Sequence, residues 1–280
     1  MAIAVMIAGL PGRMATAVYA AIQQSLHYEV AEIALVSTAE AAKRERHNAF
    51  PEGISLLVSP TNREGAGISK VIAQLGQYHE VVAVDFSCPE AVNDNAQFYC
   101  THHIPFIMGT TGGNRALLKA TIERSDICAV VAPNMSIPIV MLMDMFAYAA
   151  ERYPGMLDRF SAHITESHQA GKRDVSGTAL AIAEKFHQLG VRVDRSDIIS
   201  IRDPAGHTKL SVPTEHREGH AWHTYALADE GGGCTLQLTH NVNGRQTYID
   251  GTMRALDFLA DRMHTGVRGK CFSMTDVMQG

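Results

Sequence analysis

Apolar residues follow two different periods along the first half of this chain, and the switches between them mark out its elements. Ile3 to Ala8 is an unbroken apolar run, too short for a typical helix, that opens onto a glycine-rich turn. Such a run predicts a parallel strand buried on both faces. From Met14 to Leu26 the apolar positions Met14, Val18, Ala21 and Ile22 recur at helical spacing. Glu29 to Val36, Val81 to Val84, Ile104 to Met108 and Ile127 to Ala132 are further strand-like runs with helical patterns between them. Strand and helix in succession predict a parallel sheet with helices on both faces.

After Asn134 the pattern changes to an α+β style. A helix is expected from Ile137 to Tyr153, a strand from Arg159 to Thr165, a polar loop from Glu166 to Asp174 and a helix from Thr178 to Leu189. Strands follow at Ile198 to Asp203, His220 to Leu227 and Cys234 to Asn241, the last two joined by the glycine-rich turn Asp229 to Gly233. A helix from about Tyr248 to Met263 and a short tail close the chain. Its 280 residues are enough for one large core or two moderate ones.

Composition removes several function classes. A net charge of -5 gives no electrostatic case for nucleic acid or an anionic membrane as partner. No apolar run reaches the roughly 18 residues of a membrane helix. The five cysteines are odd in number and form no C-x-x-C pair, which suits a reducing compartment where cysteine serves as a small apolar residue. Met1 to Leu10 lacks a basic flank and runs into Pro11-Gly12-Arg13, so it reads as a buried strand and not a signal peptide. A cytoplasmic protein is expected, or one of the plastid stroma if a transit peptide has been removed.

The candidate chemistry of the first half is nucleotide binding. Gly9, Pro11, Gly12, Arg13 and Met14 lie between the first strand and first helix, with Ala15 where a third glycine is common. Glycines there let the backbone turn tightly and approach a pyrophosphate, whose charge meets amides at the helix N-terminus, as in a Rossmann-type sheet. The second strand ends in Ser37 and Thr38, with Lys43, Arg44 and Arg46 just beyond and no acid placed for a ribose. Basic groups beside a 2'-phosphate favour NADPH, with NADH tolerated; a solvated charge run accounts for any single one of them equally well. Asp85-Phe86-Ser87 and Gly109-Thr110-Thr111 lie at later strand ends, where small residues leave room for a nicotinamide and its ribose, although ordinary turn chemistry also explains them.

In the second half, residues 165–178 gather His168, Lys172 and a helix start at Ser176-Gly177-Thr178. First-turn amides form an anion site, Lys172 adds a point charge, and His168 can exchange a proton near neutral pH. A small carboxylated substrate is implied. Singly, Ser176 or Asp174 is a helix cap, Lys172 a solvated side chain and His168 one of 14 histidines; the cluster is what carries weight.

These residues resemble the dihydrodipicolinate reductases, also called 4-hydroxy-tetrahydrodipicolinate reductases. That family's Glu-x-His-His-x-x-Lys-x-Asp-Ala-Pro-Ser-Gly-Thr-Ala signature is matched by Glu166, His168, Lys172, Asp174 and Ser176-Gly177-Thr178-Ala179, with Gln169 for the second histidine and one residue fewer before the serine. Both departures resemble the plant-type branch. Gly9-x-x-Gly12-Arg13-Met14, Asp85-Phe86-Ser87, Gly109-Thr110-Thr111-Gly112 and Ala132-Pro133-Asn134-Met135-Ser136 occur in family order. So do Gly219 to His223, His240 to Arg245 and Gly251-Thr252.

The resemblance implies hydride transfer from NAD(P)H to a cyclic dicarboxylate in lysine biosynthesis. His168 and Lys172 would be catalytic, Gln169, Ser176, Gly177, Thr178 and Arg245 would bind substrate, and Pro133, Asn134 and Met135 would join the cofactor set; no metal is implied. It also implies a cofactor domain of residues 1–133 with about 247–280, a substrate and oligomerisation domain of residues 134–246, and a homotetramer or homodimer. Two alternatives stay open: another amino-acid-pathway reductase on the same scaffold, and a non-catalytic NAD(P)-binding sensor.

Overall fold

The structure, a computed structural model, describes residues 2–36, 55–58 and 72–280. The chain divides into two compact units, Met1–Ile137 with Tyr248–Gly280, and Pro138–Thr247. The elements up to the first unit's sixth strand are β1 (Ile3–Ala8), α1 (Arg13–Gln23), β2 (Tyr28–Val36), β3 (Ser55–Val58), β4 (Val81–Asp85), α2 (Val92–Thr101), β5 (Phe106–Met108), α3 (Arg115–Glu123) and β6 (Cys128–Val131). Then come α4 (Ile137–Arg152), β7 (Phe160–His168), α5 (Gly177–Gln188), β8 (Ile198–Ile201), α6 (Pro204–Lys209), β9 (His220–Asp229) and β10 (Thr235–Asn243). The chain closes with α7 (Gln246–His264), β11 (Lys270–Phe272) and α8 (Met274–Gln279).

The first sheet has seven strands in the order β11-β6-β5-β4-β1-β2-β3, with every pairing parallel. All six residues of β1 are buried, which accounts for its unbroken apolar run. Met6, Ile33, Leu35, Tyr99, Phe106 and Met108 lie in the core cluster of this unit. Fully burying a side chain such as Phe106 contributes about 2–3 kcal/mol. From β1 the chain winds one way through β2 and β3, and from β4 it winds the other way through β5, β6 and finally β11. The carboxyl ends of β1 and β4 therefore flank the point where the winding reverses, the place where open α/β sheets bind ligands. Helix α7 is fixed to this unit by the Tyr28 hydroxyl donating to Asp257 Oδ1 at 2.7 Å. It packs so closely that a Cβ on Gly251 would lie 1.7 Å from the Met135 carbonyl oxygen.

In the second sheet the order is β10-β9-β7-β8, with β7 parallel to β8 and β9 antiparallel to both β7 and β10. Strands β7, β8 and β10 thus run the same way, and their carboxyl ends meet the start of β9 at one end of the sheet. Ile164, Tyr225 and Leu227 of the sheet pack with Ile182 and Phe186 of α5 and with Leu142 and Phe146 of α4.

Three features depart from the sequence expectation. Strands β3 and β11 were not anticipated: each is only three or four residues long, below the length at which periodicity is informative. The expected polar loop from Glu166 begins later, because Glu166, Ser167 and His168 continue β7 and are buried. Their polarity imitates a loop, yet register pairs them with Ser200, Ile201 and the residues of β9.

Candidate active site

In the first unit, the turns that follow β1, β4 and β5 converge on Phe86. Gly9 has φ +102°, and a Cβ there would sit 2.2 Å from the Phe86 carbonyl oxygen. A Cβ on Gly109 would sit 2.2 Å from the Phe86 ring. Beneath them Asp85 is fully buried. Its Oδ1 accepts from the Ser87 amide (2.9 Å), the Ser87 hydroxyl (2.6 Å) and the Thr110 hydroxyl (3.1 Å). Its Oδ2 accepts from Asn95 Nδ2 and the Tyr99 hydroxyl, both at 2.8 Å. Five neutral donors thus hold one carboxylate, and Asp85 can act on a ligand only through the residues it fixes, Ser87 and Thr110.

Helix α1 opens at Gly12 with no side-chain cap and no acidic residue in its first turn. That end fits a pyrophosphate, because no acid of the helix's own first turn competes for the positive end of the helix dipole. Pro11, Gly12, Arg13, Met14 and Thr111 are at least partly exposed around these turns, whereas Met135 is buried. Asn134 Oδ1 accepts from the Ser136 amide at 2.9 Å and shapes the turn after β6. Ser37, Thr38, Lys43, Arg44 and Arg46 lie outside the described residues.

In the second unit, one straight row of polar side chains crosses all four strands: Ser200, Glu166, His223 and His240 are successive register partners. His168, two residues beyond Glu166, points to the same face of β7. Glu166 is fully buried. Its Oε1 accepts from Arg202 Nη2 and the Ser200 hydroxyl. Its Oε2 lies 3.0 Å from His168 Nε2, in contact but outside hydrogen-bond geometry. Burial alone would raise the Glu166 pKa, but His168, Arg202 and Ser200 outweigh it and bring it down to about 2.

His223 has a different environment. It is 3% exposed, and neither ring nitrogen has a hydrogen-bond partner among the described residues. Burial, then repulsion from His240 and His168, pulls it down to about 3; burial and His168 bring His240 to about 4. Both rings are neutral in the folded protein near pH 7. Ligand atoms of Glu166, His168 and His223 lie within 4.8 Å of one another, a spacing open to a divalent cation. The Arg202 guanidinium already neutralises that carboxylate, however, and would face any added cation across it.

The turn after His168 carries Lys172, whose amide donates to the Gln169 carbonyl at 3.0 Å. Lys172 is half-buried and has no acidic partner among the described residues. Ser176 is the buried N-cap of α5, a helix with no side-chain cap and no acid in its first turn. From the other edge, the end of β10 brings Arg245, whose guanidinium lies over Gly219, 3.5 Å from where a Cβ would stand. His168, Gln169, Lys172, Ser176–Thr178 and Arg245 therefore all belong to segments at one end of one sheet. A histidine, a lysine with no acidic partner among the described residues, an arginine and a helix start at one end of a sheet are chemistry suited to an anionic, proton-accepting molecule.

Two participants were missed in the sequence. Arg202 gave no local signal, because its partner is 36 residues away. Glu166 was assigned no role, although its position two residues before His168 in a strand would have put both on one face.

Residues 3–135 match the family described as dihydrodipicolinate reductase, N-terminus, and residues 139–278 match its C-terminus. The chain belongs to the dihydrodipicolinate reductase family. Within that family it is 37% identical over 280 residues to the chloroplastic 4-hydroxy-tetrahydrodipicolinate reductase 1 of Arabidopsis thaliana, covering 99% of this chain and 78% of the relative. It is 39% identical over 217 residues to a probable chloroplastic 4-hydroxy-tetrahydrodipicolinate reductase 1 of Oryza sativa subsp. japonica, covering 77% of this chain and 63% of that one. The fold matches a dipicolinate-bound dihydrodipicolinate reductase from Paenisporosarcina sp. TG-14, with a TM-score of 0.66, 18% identity and 98% of each chain covered. No helix among the described residues is long and apolar enough to cross a membrane.

Proposed function

We propose that this chain catalyses the NAD(P)H-dependent reduction of 4-hydroxy-tetrahydrodipicolinate to tetrahydrodipicolinate in the lysine (diaminopimelate) pathway. The balanced reaction consumes one NAD(P)H and one proton and releases NAD(P)+ and one water. One observation carries it: in a member of this family, His168, Lys172, the α5 start and Arg245 gather at one end of the second sheet, with Lys172 free of any described acid. Bound nicotinamide supplies the hydride. Lys172 and the amides of residues 176–178 bind one carboxylate, Arg245 takes the other, and His168 orients the substrate and delivers the proton. Gln169, standing where the family has a second histidine, hydrogen-bonds without titrating, so a single imidazole serves.

In the first unit, the turns at Gly9–Met14, Asp85–Ser87, Gly109–Thr111 and Pro133–Met135 hold the dinucleotide. NADPH is the preferred donor and NADH is tolerated. Copies associate as a homotetramer or homodimer through the second unit, where Met141, Met145, Tyr148 and Leu236 leave apolar surface exposed. The compartment is the plastid stroma, as the names of the plant relatives suggest, or the cytoplasm.

The test is a coupled assay. Dihydrodipicolinate synthase, pyruvate and aspartate semialdehyde generate the substrate, and absorbance at the reduced-nicotinamide band follows each donor. Consumption that depends on all three, and is faster with NADPH, is expected. Nucleotide binding without consumption would instead make the chain a sensor.

A further inference from the structure

Arg202 lies at the carboxyl end of β8 and reaches under the segment that carries the proposed catalytic groups. Its Nε donates to the Lys172 carbonyl at 3.0 Å and its Nη1 to the Ile201 carbonyl at 2.9 Å. Its Nη2 donates both to the Asp174 carbonyl at 3.2 Å and to Glu166 Oε1. One planar cation therefore ties the backbone on either side of Arg173 to a carboxylate buried in β7. That carboxylate touches His168 through its other oxygen, and Ser200 from β8 completes the grip on Oε1. From the opposite side, the His168 carbonyl is held by His207 Nε2 at 3.0 Å.

We infer that Glu166 and Arg202 are positioning residues for the reduction: Glu166 sets the His168 ring, and Arg202 sets both Glu166 and the turn that presents Lys172. This rests on the roles proposed above for His168 and Lys172. The physical need is plain. A turn after a strand end has few contacts of its own, and a sub-ångström error in a proton donor is costly in rate. A guanidinium offers five N–H groups in a rigid fork, so it can serve three carbonyls and a carboxylate at once; a lysine ammonium in the same place cannot span them. A fully buried carboxylate with a cation on one oxygen is likewise a fixed charge against which an imidazole can be oriented.

The test is steady-state kinetics of the full chain, with Glu166→Gln, Ser200→Ala and Arg202→Lys each made alone and in a His168→Gln background. NADPH affinity is followed by fluorescence and folding by thermal melting. Glu166→Gln should lower kcat on the order of 10- to 100-fold, because the His168 ring loses the buried charge that orients it, with the KM for NADPH unchanged. Arg202→Lys should in addition raise the KM for the dicarboxylate about 10-fold. The Glu166→Gln loss should shrink to under about 3-fold when His168 is already glutamine, since a residue acting through another has nothing left to do.

Equal losses in the two backgrounds, or Glu166→Gln turnover within about 2-fold of wild type, would overturn the inference. Should Glu166→Gln fail to fold, Ser200→Ala stands in for it: a kcat loss of about 3- to 10-fold that vanishes with His168→Gln supports the inference, and no loss overturns it. Wild-type turnover is measured first. An inactive wild type removes the proposed function and this inference with it, whereas an active wild type with an insensitive Glu166 removes the inference alone.

Discussion

Each unit buries a carboxylate at or near the carboxyl end of a strand, Asp85 on β4 and Glu166 on β7, and the two are satisfied in opposite ways. Asp85 takes five neutral hydrogen bonds, which spread its charge over a turn, a helix and a neighbouring strand end. Glu166 takes a guanidinium and a hydroxyl on one oxygen and leaves the other against His168. Beside it His223 is buried, and neither nitrogen has a hydrogen-bond partner among the described residues. The first arrangement is closed, and it suits a scaffold that shapes a binding turn. The second keeps unspent polarity around a titratable ring, which costs stability and suits proton chemistry.

The largest expected effect that sharpens this contrast lies in the second unit alone. Lys172→Ala should lower kcat/KM by two to three orders of magnitude, roughly 3–4 kcal/mol of transition-state binding, because a carboxylate then meets no cation. NADPH affinity, read by fluorescence, should not move. If both fell together, the separation of roles would be broken.

Next in size is Asp85→Ala. It leaves five donors facing a cavity and should cost about 3–5 kcal/mol of stability, measured as a lower urea midpoint, together with weaker NADPH binding. Asp85→Asn keeps an acceptor and should cost less than half of that.

Acid should separate the units next. His223 and His240 are neutral in the fold with values near 3 and 4, against 6.5 when unfolded. The unfolded chain therefore binds more protons below pH 6.5. The stability these rings contribute is complete above 6.5 and is lost as pH falls toward 3–4, by up to about 1.4 kcal/mol per pH unit for each. Glu166 acts in a lower window, its contribution present above 4.5 and lost as pH falls toward 2. Urea midpoints across pH 4 to 8 check the slope. Smallest is His223→Leu, which should cost within about 1 kcal/mol at pH 8 because an unpartnered polar ring is replaced by an apolar one. Below pH 6.5 it should flatten the slope by one proton.

Much of the first unit was legible in the sequence, because β1, β4 and the second half of β2 (Ile33 to Val36) are buried and so carry continuous apolar runs. The glycines read as places for close backbone approach do meet backbone, but at Gly9 the neighbour is Phe86. The second unit was harder. Glu166, Ser167 and His168 are strand residues with loop-like chemistry, since Arg202, Ser200 and His220 from distant segments meet the side chains of Glu166 and Ser167. Those partners lie 34 to 53 residues away, a separation at which one sequence gives no signal. His223 and His240 look like two histidines in alternating strands; only register puts His223 beside Glu166 and His240 beside His223.

A crystal structure with NADPH and pyridine-2,6-dicarboxylate, a planar analogue of the ring dicarboxylate, would test the central claim directly. One carboxylate should lie on Lys172 Nζ and the amides of residues 176–178, the other within reach of Arg245, with His168 beside the ring. Density for the dicarboxylate at any place that leaves Lys172 and the α5 start in water would contradict the account.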